Sequence, residues 1–220
     1  MNEKIGDFGH KRLTEYKQSG LKPFQHYGNC IIGWKVDTGK AFAGMIKHFI
    51  PSPAVIVDLC AGDRRFYRKM NDGYSLDGKE YKFIFGDVRK LKGLDYVCDI
   101  RKPPKELYGV ADGFIFDAPY PSHSGTLGEM VAKYCPLDEK DFKKFVEDSI
   151  PSIKKILKDN GILICKIKHP WNHVYYDLFL KNGFVWVRDI PQLSVFHGVY
   201  LVSYFMIFRL QQSKKHVVEG

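Results

Sequence analysis

A chain of 220 residues, 45% of them hydrophobic, can bury a substantial core and sits at the upper edge of a single domain. Its 34 Lys and Arg against 25 Asp and Glu leave a net charge of +9, which favours an acidic partner such as nucleic acid through phosphate neutralisation. Five cysteines without a C-x-x-C pair argue against a disulfide framework and a zinc knuckle, and the chain has neither a secretory signal nor an apolar run long enough to span a bilayer, so a reducing cytoplasm is expected, with no membrane partner.

Residues 1–25 are polar and basic, broken by Gly6, Gly9, Gly20 and Pro23, and read as an N-terminal extension. Residues 26–212 read as one domain and 213–220 as a tail. "TGKAFAGMIKHFI" (38–50) spaces Phe42, Met45, Ile46 and Phe49 as on one helix face, and "PSP" stops it. Short apolar runs follow at 54–59, 82–87, 95–100, 113–118 and 161–167, the pattern of strands buried on both faces. Between the last two, residues 138–161 form an amphipathic helix that Pro151 is expected to kink or divide. A further helix from His173 leads to strands at 184–190 and 200–210, separated by a nine-residue loop and able to form a hairpin. The aromatic residues Tyr175, Tyr176 and Trp186 read as core. The scattered histidines suggest no metal site.

Strands alternating with helices imply an α/β fold: a Rossmann-like, mostly parallel, doubly wound sheet ending in an antiparallel hairpin, with ligands at the carboxyl ends of its strands. Asp58, Asp87, Asp99 and Asp117 all stand at or beside such ends. In a parallel sheet they converge on one rim. The alternative for any one of them is that it merely caps the next helix or turn. Asp87, ending the second strand, suits the ribose hydroxyls of a nucleotide-like cofactor, and Asp99 its adenine amine.

Two stretches carry a resemblance. "DAPY" (117–120) is similar to the Asp-Pro-Pro-Tyr motif of amino-group methyltransferases that use S-adenosylmethionine on adenine or cytosine in nucleic acid, and "VDLCAGDRRF" (57–66) resembles that family's glycine-bearing first motif. The resemblance covers roughly residues 54–168 and implies a class I methyltransferase. It implies cofactor contacts from Asp58, Cys60, Ala61, Gly62, Asp87, Val88, Asp99 and Ile100. Arg64 departs from the pattern, standing where the family has its last glycine, so its side chain must turn outward or the helix must start differently.

By the same resemblance, Asp117 and the Ala118 carbonyl accept the two hydrogens of an exocyclic amine, Pro119 fixes the turn and Tyr120 stacks on the base. Lys166, Lys168 and His169 end the fifth strand and stand as substrate contacts or as a plain solvated strand end. His123 and Ser124 lie in a stretch, 122–135, that reads as a lip over the target base. Adenine N6 in DNA is the first substrate expected, with cytosine N4 in DNA and adenine in RNA as alternatives, in a monomer or homodimer. The rivals are a non-catalytic nucleic-acid-binding partner of the same fold and a small-molecule methyltransferase.

Overall fold

The structure is a computed structural model that describes residues 24–27, 30–33, 38–64, 67, 80–119, 139–168, 171–196 and 199–211. The elements in order are β1 (Phe24–Tyr27), β2 (Cys30–Gly33), α1 (Thr38–Phe49), β3 (Ala54–Asp58), β4 (Tyr81–Asp87), β5 (Tyr96–Val97), β6 (Ala111–Phe116), α2 (Glu139–Ile156), β7 (Leu157–Lys168), α3 (Asn172–Lys181), β8 (Phe184–Phe196) and β9 (Val199–Leu210). A 3-10 turn, Lys105–Leu107, precedes β6. β1 and β2 pair as a separate antiparallel ribbon, so Phe24 and Gln25 are strand rather than extension.

The main sheet has seven strands in the order β5-β4-β3-β6-β7-β9-β8. β3, β4, β5, β6 and β7 pair in parallel, and β9 runs antiparallel between β7 and β8. This is the expected doubly wound sheet with an antiparallel end. Its central strands are buried on both faces because successive side chains alternate between two cores. Val57, Phe114, Phe116, Leu163, Cys165, Met206 and Phe208 pack with α2 and α3, through Phe142, Val146, Tyr175 and Phe179 among others. Ile56, Ile115, Ile162, Ile164, Phe205 and Ile207 face α1 through Phe42, Met45, Ile46 and nearby Ile50.

Four expectations are corrected. The strand read over 95–100 is only Tyr96–Val97. The helix read to Gly161 ends at Ile156, because Leu157 pairs with Ala111 of β6 and Lys158 Nζ reaches Asp112 Oδ1 at 2.8 Å. It runs unbroken through Pro151. The nine-residue loop is mostly strand: β8 continues to Phe196, since Pro191 stands on the strand at the end of the sheet, where a missing N–H breaks no ladder to a further strand.

Tyr176 and Trp186, read as core, are 38% and 43% exposed, with rings 6.1 Å apart; they flank the buried face of α3 and the outer strand rather than filling the core. Tyr175, by contrast, is buried. Among the described residues no helix is long and apolar enough to cross a membrane.

Candidate active site

Strand order reverses about β3: β4 lies on one side and β6 on the other, and a crevice opens outside their carboxyl ends at such a switch point. β3 ends on Asp58, β4 on Asp87, and Asp117 directly follows β6. Asp99 follows β5. All four carboxylates bear electrostatically on the Cys60 thiol between them, and with burial first among the causes they push it well above its ordinary value. The strand-end acids do converge on one rim.

The loop after β3 is tightly bonded. Ala61 N donates to Gly86 O at 3.0 Å, and Arg64 N donates to Ala61 O at 2.9 Å. Gly62 adopts φ 54°, where a side chain is strained, and its N–H donates to Asp87 Oδ2 at 2.9 Å. Asp58 is 2% exposed; its Oδ1 accepts from Cys60 N at 2.9 Å and its Oδ2 from Tyr67 Oη at 2.7 Å. Burial raises its carboxyl to about 7, the two hydrogen bonds pull the other way, and the negative Asp117 and Asp87 reinforce the rise.

Asp87 titrates in the opposite direction. Burial pushes its carboxyl up, but the Arg89 hydrogen bonds and charge, with Gly62 N–H, outweigh it and leave the group below the usual range. Oδ1 accepts Arg89 N and Nε, both at 2.9 Å, while Oδ2 accepts Gly62 N–H at 2.9 Å and Arg89 Nη2 at 3.1 Å. Two donors on each oxygen fill a carboxylate's usual capacity. Asp99 repeats the device with Arg101, whose Nη2 lies 2.6 Å from Asp99 Oδ2, and these hydrogen bonds lower its carboxyl against a smaller effect of burial. Val88, beside Asp87, is 69% exposed, an open apolar face on the rim, whereas Ile100 is buried.

Asp117 is the least satisfied of the four. Its Oδ1 is buried and, among the described residues, has no hydrogen-bond partner, and Lys166 Nζ is 4.0 Å away. Burial raises its carboxyl and Lys166 opposes the rise. Ala118 is buried and Pro119 half-buried beside it. Tyr120, His123, Ser124, His169 and the Lys168 side chain lie outside the described residues.

Sequence reasoning missed three participants. Tyr67 reaches back to Asp58 across nine positions, and no local spacing announces it. Arg89 and Arg101 did leave a signal, the matching stretches "GDVRK" and "CDIRK", each placing an arginine two residues after the acid. Arg64 also proves different in kind. It holds φ 55°, and its guanidinium lies 5.4 Å from the centre of the Phe85 ring, in the space a side chain on Gly93 would fill. The loop after β5 is tied to α2 by Ser152 Oγ, which donates to Arg101 O at 3.0 Å. Ser152→Ala is expected to cost about 1 kcal/mol in urea unfolding, a typical net hydrogen-bond value.

No protein-family model matches the sequence, and no curated protein matches it. Solved structures are similar in fold. A Burkholderia thailandensis 1,6-didemethyltoxoflavin-N1-methyltransferase, crystallised with 1,6-didemethyltoxoflavin and S-adenosylhomocysteine, has a TM-score of 0.55 at 10% identity, over 96% of this chain and 92% of that one. The CMeT domain of the citrinin polyketide synthase has a TM-score of 0.50 at 12% identity, over 80% of this chain and 52% of that chain. The fold is therefore that of the class I methyltransferases, with the mostly parallel sheet and the antiparallel strands at its end.

Proposed function

We propose that the chain is an S-adenosylmethionine-dependent methyltransferase acting on an exocyclic amine of a base in nucleic acid, with adenine N6 in DNA as the first substrate. The observation that carries this reading is the buried Oδ1 of Asp117, unpaired among the described residues, at the rim formed by the carboxyl ends of β3 and β6. An unpaired buried carboxylate oxygen is costly and is retained where a ligand completes it. An amine hydrogen is the matching donor.

The rim suits the cofactor in part. Gly62 carries no side chain to block a close approach and Val88 offers an apolar face, while Asp87 and Asp99 are carboxylates that can take hydroxyl and amine donors once the Arg89 and Arg101 guanidinium groups give way. When bound, S-adenosylmethionine supplies an electrophilic methyl group on a sulfonium. An exocyclic base amine is a poor nucleophile because its lone pair is delocalised into the ring. Asp117 and the Ala118 carbonyl correct this by accepting its two hydrogens, which draws the lone pair back onto nitrogen and aims it at the methyl group. Tyr120 stacks on the extruded base, an interaction worth about 1–3 kcal/mol, and the net charge of +9 supports a phosphate-bearing substrate. The similar toxoflavin enzyme methylates a small molecule, so the fold leaves the substrate class to these residues.

The test is transfer of labelled methyl groups to mixed-sequence DNA and RNA, with nucleoside analysis of the product. Methyl on an amine nitrogen supports the reading; methyl on a ring carbon, or no S-adenosylmethionine binding at millimolar ligand, overturns it. Tyr120→Phe is expected to retain much of the transfer and Tyr120→Ala to lose it, since a flat π-face suffices for stacking.

One observation favours the second reading, a non-catalytic nucleic-acid-binding chain. Both Asp87 oxygens are already saturated, by Arg89 and by Gly62 N–H. Ribose hydroxyls can bond Asp87 only by displacing the Arg89 guanidinium. Arg89→Met is therefore expected to tighten S-adenosylmethionine binding several-fold by calorimetry. No binding by either protein would favour the non-catalytic reading.

A further inference from the structure

Asp117 has to meet two demands that conflict. As a hydrogen-bond acceptor for an amine it is strongest when ionised, with both oxygens accepting, yet burial favours its neutral, protonated form. A direct hydrogen bond from a cation to Oδ1 would also keep it ionised, but would take one of that oxygen's two acceptor positions and crowd the approach of the amine.

The structure has an arrangement that meets both. Phe116 of β6 pairs with Cys165 of β7, so the residues that follow them, Asp117 just past the end of β6 and Lys166 on β7, stand side by side. Their side chains are 22% and 17% exposed, and Lys166 Nζ stands 4.0 Å from Oδ1. That distance is beyond hydrogen-bond reach but well within the range of a charge interaction in a partly buried site. Oδ1 accepts no hydrogen bond among the described residues, so the lysine lends its charge while both acceptor positions on that oxygen stay open.

The other ionisable groups coupled to Asp117 pull the opposite way or are neutral. Asp58 of β3 is a second acid, and the Cys60 thiol and the Tyr67 hydroxyl are both held in their protonated forms. Among the described residues, Lys166 is the cation that bears on Asp117.

We propose that Lys166 is a positioning residue for methyl transfer: from the neighbouring strand it holds the Asp117 carboxylate charged while leaving Oδ1 open to accept an amine hydrogen. The proposal rests on the reading of Asp117 as the amine acceptor. Under it, Lys166 contacts neither base nor phosphate, a different role from the substrate contact that its place in the sequence suggests.

The experiment follows the Asp117 carboxyl by carbon NMR in the full chain labelled at aspartate, with Asp117→Ala identifying its signal, and compares wild type, Lys166→Met and Lys166→Arg. The pH profile of labelled methyl transfer to mixed-sequence DNA and RNA is measured in parallel. Expected is a rise in the Asp117 titration midpoint of about one pH unit in Lys166→Met, a tenfold change in proton affinity, with the acidic limb of the transfer profile moving by the same amount and Lys166→Arg restoring both. An Asp117 titration that does not move in Lys166→Met overturns the proposal, as does one that moves while the transfer profile stays in place. Full transfer by Asp117→Ala overturns the amine-acceptor reading itself, whereas an inactive Asp117→Ala with an unmoved titration in Lys166→Met defeats the role of Lys166 alone.

Discussion

Asp117→Ala is expected to lower methyl transfer by roughly 10²–10³-fold, the usual cost of removing one preorganised polar group from a reacting centre, while leaving S-adenosylmethionine affinity nearly unchanged. The separation of the two effects follows from position. Asp117 stands after β6 beside Lys166, whereas the candidate cofactor contacts Gly62, Asp87 and Val88 belong to the loop after β3 and the end of β4. The same substitution removes an unpaired buried oxygen. It is therefore expected to leave the fold as stable as wild type or more so, which excludes unfolding as the reason for lost activity. Single-turnover transfer, calorimetric cofactor binding and urea unfolding on one preparation check the three parts. Activity lost together with cofactor binding would place Asp117 in the cofactor site instead.

Asp58→Asn should stabilise the chain at neutral and alkaline pH. The folded carboxyl titrates at about 7 against 3.8 for the ordinary group, a difference worth at most about 4 kcal/mol. The sign follows from proton counting. Between those two values the folded chain keeps a proton that the unfolded chain has released, so stability falls as pH rises through this window and levels off above it. Asparagine has no charge to bury. Its carbonyl can accept from Cys60 N–H in place of Oδ1, and its amide can donate to the Tyr67 hydroxyl, which reverses its role from donor to acceptor. Urea unfolding at pH 5 and pH 8 is expected to show wild type losing ground to Asp58→Asn between the two. Parallel pH dependence of the two proteins would mean that Asp58 is not the titrating group. A stabilising change at this position, if it weakens cofactor binding, would also explain why an expensive buried acid is kept.

The sheet could be read from the chain because its central strands are short, apolar and bounded by turn-forming residues, and burial on both faces is what such runs require. The rim was legible for the same reason: an aspartate at the end of a parallel strand is positioned by the strand, whatever lies around it. What could not be read depends on partners distant in sequence. β8 extends past Pro191 only because that residue lies on the outer strand of the sheet, a fact of strand order rather than of local pattern. Tyr176 and Trp186 carry apolar rings that composition assigns to a core, yet their places on α3 and β8 leave them half open. The Tyr67 bond to Asp58 and the Lys166 charge near Asp117 each join separate elements, so spacing along the chain gives no warning of them.

Arg64 illustrates how such a partnership can hide a motif. A residue other than glycine at φ 55° carries a backbone cost of about 1–2 kcal/mol, and its long side chain must still go somewhere. It lies across the Phe85 ring and into a space that exists because Gly93 has no Cβ. Gly93 answers two demands at once: its own backbone holds φ 79°, where any side chain is strained, and its bare Cα leaves room for the tip of Arg64. A change of Arg64 to glycine would therefore free the space beside Gly93 without freeing Gly93 itself, whose left-handed backbone still calls for glycine.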